Sequence, residues 1–557
     1  MPIVSQYDSV AVPTGDVWSF VFEQKKMNFP KYKPIYIDAQ TRQQYTWAET
    51  RSAALYFGEG LLDLWDWKKG DVLGIFSPNC IDTPAIMFGT IWAGGIVSPL
   101  NPSCTVAELA FQLKDSGAKA LVTQVTLLDV AIKAARLAGI SKNRVTLIGD
   151  CTNLSGNINH FSSLRGNSKH YQYQRPVIDP RKDLALLVYS SGTTGHPKGV
   201  MLSHENVIMN LLQIQATDEN NLTPIGGVDG LGDKIMSVLP YYHVYGIAFL
   251  VNLPLYMGLT TIVMSKFSLK DFLQAIQTFQ PVYANLVPPI ILHLAKSPLV
   301  DEYDISSLKM VMCGAAPLTQ ELTEELYQRH GIPVRQVYGL SETSPVALVQ
   351  TWNQCRESIG SVGGLVPNMA AKFCDESGGE ISLGHTGELY LKGPNIFQGY
   401  LNNPSGTLDC LDKDGWFRTG DVGHVDAKGS FYITDRVKEL IKYKGFQVPP
   451  AELEGLLLNH PQVMDAAVIG VMSERDATEL PRAYVVLAPA VGKTRLSEAA
   501  LIEWLSERVA PHKRLRGGVE FICEIPKSPS GKILRRLLRD RANQTQRRTN
   551  KGFRERL

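Results

Sequence analysis

The order of hydrophobic and polar positions changes around residue 190 of this 557-residue chain. An unbroken apolar run from Leu184 to Val188 is typical of a buried strand. Beyond it, apolar residues recur at the spacing of an amphipathic helix, at Val207, Ile208, Leu211, Leu212 and Ile214. The pattern therefore predicts that the glycine-rich segment between them joins a strand to a helix.

A second apolar region, from Ile235 to Ser265, contains no Asp, Glu, Lys or Arg. Its length would suit a membrane span. It is interrupted, however, by Pro240, Gly246, Asn252, Pro254 and Gly258. Breakers at this frequency favour buried strands and a short helix in a large core, so we expect no membrane span.

Composition and charge describe an ordinary globular protein with a basic end. The chain is 44% apolar and 20% charged, and its length predicts two or more domains. Residues 535–557 hold nine Lys or Arg against two acidic residues, whereas the overall net charge is only +2. With Phe553 as its single aromatic residue, this tail is predicted to be solvated and partly disordered and not to bind nucleic acid.

The cysteines and the chain ends bear on the compartment. Eight cysteines are scattered without a C-x-x-C pair, which indicates neither a zinc site nor a disulfide framework. Asp8 and Asp16 lie where a secretory signal would be apolar, so we expect a cytoplasmic protein. The last three residues, Glu555-Arg556-Leu557, are similar to the Ser-Lys-Leu peroxisomal address in their final two positions only, which makes the peroxisome the alternative.

The glycine-rich segment is Tyr189-Ser190-Ser191-Gly192-Thr193-Thr194-Gly195-His196-Pro197-Lys198-Gly199. Glycines let backbone N–H groups turn inward around an anion, hydroxyls add donors, and Lys198 adds a point charge. The lysine follows a proline and precedes no Ser or Thr, unlike the G-x-x-x-x-G-K-[ST] loop. The segment predicts a nucleoside triphosphate site; a flexible Ser/Gly/Thr linker is the alternative.

Four further clusters follow in order along the chain. They are Gly314-Ala315-Ala316-Pro317, the run 336–343 (Gln-Val-Tyr-Gly-Leu-Ser-Glu-Thr), Trp416 to Asp421 with Asp435-Arg436, and Lys527 to Lys532. With these motifs the chain resembles the adenylate-forming superfamily of acyl-CoA synthetases, adenylation domains and firefly luciferase, and most of all its 4-coumarate–CoA ligase branch. The resemblance runs from about Tyr45 to Arg536, and the segment 435–454 is especially specific to that branch.

The resemblance implies an α/β fold with a large N-terminal domain and a small mobile one. The N-terminal AMP-binding domain, residues 1–437, would hold two α/β-layered sheets and a distorted β-barrel. An α+β lid would follow at 438–536, with Lys438 as the hinge and 537–557 as the flexible basic tail.

The implied reaction brings a carboxylate to the α-phosphate of ATP, so fixed cations and donors must offset the repulsion between two anions. By resemblance, Glu342 ligates Mg²⁺, Ser341 touches the α-phosphate, and Lys532 bridges that phosphate and the acyl carboxylate. The ribose would be held by Asp421 and Arg436. The remaining nucleotide residues would be Ser190, Ser191, Gly192, Thr193, Thr194, Gly195, Lys198, Gly314, Ala315, Ala316, Gln336, Tyr338 and Gly339. Without this resemblance, Asp421 reads as a turn cap, Glu342 as a solvated acid and Lys532 as part of a basic helix.

The second implied step transfers the acyl group to a thiol. After the lid rotates, Lys442 and Gln447 would face the thioester-forming site. His243 would lie near the acyl carboxylate, with a hydrogen-bonded core histidine as its structural alternative. The implied acyl pocket is apolar apart from one hydroxyl, and comprises Tyr245, Phe249, Met312, Ala315, Gly339, Pro345 and Val346.

Phe249 stands where hydroxycinnamate enzymes often have a small polar residue, so phenylacetate, a plain cinnamate and a medium-chain acid are comparable candidates. No aspartate lies near Tyr241 to Val244 to pair with an amino acid's ammonium group. We therefore predict an AMP-forming carboxylic acid–CoA ligase that uses ATP, Mg²⁺ and CoA. An enzyme that loads a carrier protein or feeds an oxidase is the alternative, and a non-catalytic nucleotide-binding protein is a third hypothesis.

Overall fold

The computed structural model describes residues 2–23, 27–150, 158–164, 175–190, 197–227, 229–444, 446–473, 478–488, 496–528 and 531–554, with side chains up to 544. The strands are β1 Ile3–Val4, β2 Pro34–Asp38, β3 Gln44–Thr46, β4 Val72–Phe76, β5 Ile96–Leu100, β6 Ala118–Thr123, β7 Val145–Leu147, β8 Leu184–Ser190, β9 Lys198–Ser203, β10 Lys234–Ser237, β11 Thr260–Val263, β12 Tyr283–Leu286, β13 Met310–Cys313, β14 Val334–Gly339, β15 Val346–Val349, β16 Gly364–Leu365, β17 Ala370–Cys374, β18 Gly387–Lys392, β19 Phe417–Val425, β20 Phe431–Arg436, β21 Ile441–Tyr443, β22 Phe446–Val448, β23 Val463–Ser473, β24 Thr478–Leu487 and β25 Val519–Phe521.

The helices are α1 Val17–Phe22, α2 Trp47–Trp65, α3 Thr83–Trp92, α4 Val106–Asp115, α5 Leu128–Leu137, α6 His204–Asp218, α7 Val244–Gly246, α8 Leu253–Met257, α9 Leu269–Phe279, α10 Pro288–Lys296, α11 Gln320–His330, α12 Pro404–Leu408, α13 Pro450–Leu458, α14 Glu498–Ser506 and α15 Arg535–Arg554. A π-helical segment, Ile247–Asn252, joins α7 to α8. Within the described ranges, no helix combines the length and apolar composition needed to cross a membrane.

Two large sheets carry most of the N-terminal half. One has the strand order β7-β6-β4-β5-β8-β9, and the other has the order β16-β15-β14-β13-β12-β10-β11-β2-β3. The central strands of both sheets pair in parallel, as strands joined by crossover helices do. A sheet of five strands has the order β1-β17-β18-β19-β20. These sheets and the separate C-terminal sheets confirm the predicted α/β class.

The glycine-rich segment is followed by a strand before the helix begins. Lys198–Ser203 forms β9, which pairs antiparallel with β8 from Ser190↔Lys198 onward. The prediction of a direct strand-to-helix connection is therefore wrong. Val200 and Leu202 are buried in this strand, and its antiparallel pairing with β8 sets its conformation. Helix α6 then starts at a Ser203 cap, whose hydroxyl accepts the Asn206 N–H at 3.1 Å.

The described chain divides into two compact units. The first contains residues 1–315, 323–371 and 391–417, and the second contains 316–322, 372–390 and 418–557. Within the second unit, β23, β24 and β25 form a sheet, and β21 pairs with β22 as a hairpin. The lid boundary at Lys438 stays a prediction.

The start of the predicted tail is part of the second unit's core. Helix α15 begins at Arg535, and its Leu538 and Ala542 are buried in a cluster with Tyr484 and Ile525. Apolar residues four apart lie on one helix face and anchor this part of the basic segment. The beginning of the segment is therefore packed and helical, in contrast to the predicted solvated tail.

Candidate active site

The predicted triphosphate residues lie at the end of β8 and the start of β9. Ser190 closes β8, and Lys198 opens β9 opposite it. Ser191, Gly192, Thr193, Thr194 and Gly195 lie outside the described residues. The Lys198 ammonium lies 4.5 Å from the centroid of the Tyr400 ring, a cation–π distance.

The predicted magnesium ligand lies in a short 3₁₀ turn, Ser341–Thr343, that follows β14. Glu342 is only 8% exposed, and its Oε1 accepts a hydrogen bond from the Tyr400 hydroxyl at 2.8 Å. Burial is the main cause that raises the pKa of the Tyr400 phenol, and the negative charge of Glu342 is the next. A carboxylate has further lone pairs beyond this one bond, so its chemistry fits a hard cation such as Mg²⁺. Sequence reasoning missed Tyr400, which stands 58 residues away from Glu342 along the chain.

Two groups of predicted nucleotide residues, around Gly314 and around Gln336, meet because β13 and β14 are neighbouring parallel strands. Cys313 is opposite Gln336 in that pairing, so Gly314 and Ala315 come directly after the end of β13 beside β14. A Cβ on Gly314 would stand 2.7 Å from Val337 Cγ1, closer than side chains tolerate. The close packing therefore explains the small residue at this position.

The other members of the nucleotide set are divided between the units. Gln336 is buried, and its backbone N–H donates to Gln350 Oε1 at 2.7 Å. Gly339 has the Pro345 carbonyl in the place where a Cβ would stand. Tyr338 is half-buried at the end of β14, whereas Ala316 belongs to the second unit.

His243 caps the short helix α7. Its Nδ1 accepts the Tyr245 N–H at 3.2 Å, which is the structural role considered as its alternative. Tyr245 is buried, and its hydroxyl donates to the Met312 carbonyl at 3.5 Å. The Tyr245 and Phe249 rings pack edge to face with centroids 5.2 Å apart. The backbone thus gathers these aromatic residues at the start of the apolar segment.

Three predicted acyl-pocket residues, Phe249, Met312 and Val346, line one cavity of the first unit. Tyr245, Ala315, Gly339 and Pro345 are not among the residues that line this cavity. Its remaining lining is Ile214, Thr217, Asp218, Leu222, Ile235, Leu253, Tyr283, Asn285, Arg335 and Val349.

The cavity wall contains polar residues that the apolar expectation omitted. Asn285 is 1% exposed, and within the described part of the chain its Oδ1 has no hydrogen-bond partner. Arg335 is also buried, and it donates to the carbonyls of Gln350 at 2.5 Å and Thr217 at 2.6 Å. Burial raises the pKa of the third polar residue, Asp218. A lone polar residue inside an apolar strand, such as Asn285 in Val282–Leu286, was the available signal.

The predicted ribose pair is formed in the second unit by adjacent strands. Asp421 on β19 is opposite Arg436 on β20, and Arg436 Nε lies 2.9 Å from Asp421 Oδ1. Asp421 is 3% exposed, and its N–H donates to Thr419 Oγ1 at 3.0 Å. The pairing leaves further lone pairs on the carboxylate for hydroxyl donors.

Lys532 lies in the electrostatic surroundings of this pair, within the same unit. The pKa of Lys532 is lowered to about 8, first by burial and then by the nearby Arg436, while Asp421 and Glu439 oppose the change. The Ser528 N–H donates to the Lys532 carbonyl at 2.8 Å. The structure therefore relates residues from two of the sequence clusters.

The predicted thioester face and hinge also belong to the second unit. Lys442 and Gln447 are opposite each other in the β21–β22 hairpin, and both are exposed. Gln447 Nε2 donates to Glu376 Oε1. Lys438 is exposed in the turn between β20 and β21. Their roles in a second conformation stay predictions.

The fold and the set of predicted nucleotide-binding residues indicate to which class of protein the chain belongs. The family described as "AMP-binding enzyme" matches residues 22–401, and its C-terminal domain family matches 452–532. The chain therefore belongs to the AMP-binding enzyme family.

Within that family the chain is similar to proteins named as acid–CoA ligases. It is 37% identical to the "Probable 4-coumarate–CoA ligase 1" of Dictyostelium discoideum, over 96% of this chain and 97% of the relative. It is 38% identical to the 4-coumarate–CoA ligase of Pinus taeda, over 91% and 92%. It is 37% identical to the peroxisomal OPC-8:0-CoA ligase 1 of Arabidopsis thaliana, over 94% and 93%.

Solved structures agree on the fold. ATP-bound MatB from Rhodopseudomonas palustris superposes with a TM-score of 0.80 at 27% identity, over 95% of this chain and 99% of that chain. The anthranilate CoA ligase AuaEII in complex with anthranoyl-AMP gives a TM-score of 0.83 at 22% identity, over 96% and 98%. Its likeness supports the fold alone.

Proposed function

We propose that the protein is an AMP-forming carboxylic acid–CoA ligase that acts on an aryl, arylalkanoic, cinnamic or medium-chain acid. The observation that carries this proposal is that Lys532 lies within the electrostatic influence of the Asp421–Arg436 pair in the second unit. A lysine next to the residues that would hold the ribose is placed to reach the α-phosphate of the same nucleotide. The names of the similar proteins support the thiol acceptor.

The proposed reaction has two steps. An oxygen of the acid attacks the α-phosphorus, the bond to the β-phosphate oxygen breaks, and pyrophosphate leaves. Lys532 stabilises the charge that builds up between carboxylate and phosphate. The thiol of CoA then attacks the acyl carbon and loses its proton, and AMP leaves with the bonding electrons.

Magnesium would be held by Glu342, whose buried carboxylate fits it, and would neutralise phosphate charge. Lys198 would orient the β- and γ-phosphates that depart as pyrophosphate. Asp421 would accept hydrogen bonds from the ribose hydroxyls and so fix the register of the α-phosphate. Lys442 and Gln447 would serve the thioester step.

The cavity lining favours one kind of acid among these candidates. Phe249 and Met312 offer an apolar surface to a ring or alkyl body, whereas Asn285 Oδ1 is a buried acceptor for which the described residues supply no donor. An unpaired buried acceptor disfavours a plain hydrocarbon by about 1–3 kcal/mol relative to a ligand that donates to it. We therefore favour an aryl acid with a ring hydroxyl over phenylacetate, plain cinnamate or a medium-chain fatty acid.

An acid panel tests the proposal directly. Purified protein with ATP, Mg²⁺ and CoA is given hydroxylated and unsubstituted aryl acids in matched pairs, together with medium-chain acids, and thioester, AMP and pyrophosphate are measured. Acid-dependent pyrophosphate with thioester is the expected result. Acyl-AMP accumulating without CoA-dependent turnover would indicate a carrier protein or oxidase instead. Neither product from any acid would refute the proposal.

The compartment stays a prediction, with the cytoplasm first and the peroxisome second. The last three residues, on which the peroxisomal alternative depends, lie outside the described residues. Localising the full-length chain with its C-terminus unblocked distinguishes the two.

A further inference from the structure

Tyr400 connects the two charged groups predicted to act on the triphosphate. Its hydroxyl donates to Glu342 Oε1 at 2.8 Å, and its ring lies under the Lys198 ammonium, 4.5 Å from centroid to nitrogen. The Cys410 thiol is a further polar neighbour of the hydroxyl. None of the sequence motifs considered above includes Tyr400.

The backbone around Tyr400 fixes this position. The segment 398–401 runs antiparallel along β9, with Val200 bridged to Tyr400. The Leu401 N–H donates to the Gly199 carbonyl at 2.8 Å, one residue from Lys198. At the other end, the Phe397 N–H donates to the Glu342 carbonyl at 2.9 Å. The segment is therefore tied by main-chain bonds both to the strand that carries Lys198 and to the turn that carries Glu342.

Tyr400 contacts both the positive charge of Lys198 and the negative charge of Glu342, and these two charges do not pair with each other. No ion pair joins Lys198 to Glu342, although both are described. A direct pair would satisfy each charge with the other and leave less for a phosphate or a cation. A tyrosine can serve both, because its hydroxyl donates to the carboxylate while its ring face attracts the ammonium.

We propose that Tyr400 is a positioning residue that holds Glu342 and Lys198 apart and oriented, so that Glu342 can bind magnesium and Lys198 can bind the departing phosphates. This inference rests on the proposed function. It predicts an effect on the magnesium-dependent adenylation step alone. Thioester formation from a supplied acyl-adenylate involves neither the β- nor the γ-phosphate, so it should not depend on Tyr400.

Two variants separate the roles of the hydroxyl and the ring. Tyr400→Phe keeps the ring beneath Lys198 and removes the hydrogen bond to Glu342, whereas Tyr400→Leu removes both. Tyr45→Phe is the matched control, because Tyr45 also donates to a buried carboxylate, Asp82 Oδ1, at 2.9 Å. Thermal unfolding of each variant shows whether it folds, and Tyr400→Phe remains informative if Tyr400→Leu does not.

The primary measurement is ATP binding by calorimetry across a magnesium series, with no acid present. In Tyr400→Phe the magnesium concentration for half-maximal binding should rise about tenfold, as expected for one lost hydrogen bond to a charged group. Tyr400→Leu should also weaken binding of inorganic pyrophosphate. In Tyr400→Phe, the rate of thioester formation from acyl-AMP should stay within about twofold of wild type, because a substitution has little effect on a step whose groups it does not contact.

An unchanged magnesium midpoint in Tyr400→Phe would overturn the inference, and so would an equal shift in Tyr45→Phe. A parallel loss of the thioester step would assign Tyr400 a general structural role and overturn it as well. Wild-type protein that binds no ATP at any magnesium concentration would instead refute the proposed function. The two failures are therefore distinguishable.

Discussion

The pKa of Lys532 leads to a prediction about the pH dependence of adenylation. Burial is the largest cause that lowers this pKa from 10.5 to about 8, and the charges of Arg436 and Arg535 add to it. Asp421 and Glu439 act in the opposite direction. Lys532 must be protonated to stabilise two anions, so its contribution is present below pH 8 and is lost as the pH rises through that value.

The size of the effect follows from this value. With a pKa of about 8, roughly nine-tenths of the free enzyme carries the lysine charge at pH 7 and about one-tenth at pH 9. Hence kcat/KM for ATP should fall about tenfold between these pH values, because this ratio reports the free enzyme. The value of kcat should begin to decline at a higher pH than kcat/KM does, because the bound phosphate favours the charged form of the lysine.

The assay is ATP–pyrophosphate exchange with a substrate acid, followed from pH 6.5 to 9.5 at varied ATP. Lys532→Arg should be slower but should lack the decline, because a guanidinium stays protonated over this range. Lys513→Arg, which alters a half-buried lysine paired with Glu452, is the control and should retain the decline. A flat wild-type profile, or the same decline in Lys532→Arg, would refute the reasoning.

Four other variants test the second unit. Lys532→Ala should slow adenylation by about 100-fold or more while sparing thioester formation from supplied acyl-AMP, and Lys442→Ala should do the reverse; equal loss of both half-reactions in each variant would reject the assignment. Asp421→Asn should raise KM for ATP about 10- to 100-fold, because a charged acceptor is lost, and an unchanged KM would count against the ribose role. The Arg535 guanidinium donates to both carboxylate oxygens of buried Glu454, at 2.7 and 2.8 Å. Arg535→Met leaves that carboxylate without its partner, so the free energy of unfolding of the second unit should fall by about 3–5 kcal/mol in denaturant titrations. A change below about 1 kcal/mol would contradict this expectation.

Local pattern was a good guide where one segment decides its own structure. The apolar run from Leu184 and the helical spacing after Val207 correspond to β8 and α6. It failed at Lys198–Ser203, because a six-residue strand acquires its identity from the partner it pairs with. The prediction for the basic tail failed for a similar reason. It was based on the charge composition of the tail, whereas a few apolar residues, such as Leu538, attach the start of the tail to the core.

At the candidate site, too, some features could be predicted from local sequence and others could not. The order of the motifs along the chain was enough to indicate the family and to nominate Lys532, Asp421 and Glu342, because the chemistry of each motif resides in its own residue types. The pocket wall was not predictable in this way. Asn285 and Arg335 reach one cavity from β12 and β14, and only the order of strands in the sheet brings them together.

By itself, the sequence determined the family and the fold class and nominated candidate reactive side chains, since the motifs that carry the family resemblance are short runs of particular residue types. Tertiary structure alone decided which groups are neighbours. The contact of Tyr400 with Glu342, and the position of Lys532 beside Asp421, join residues far apart in the chain. Strand order and register set such distances, and local periodicity does not specify them.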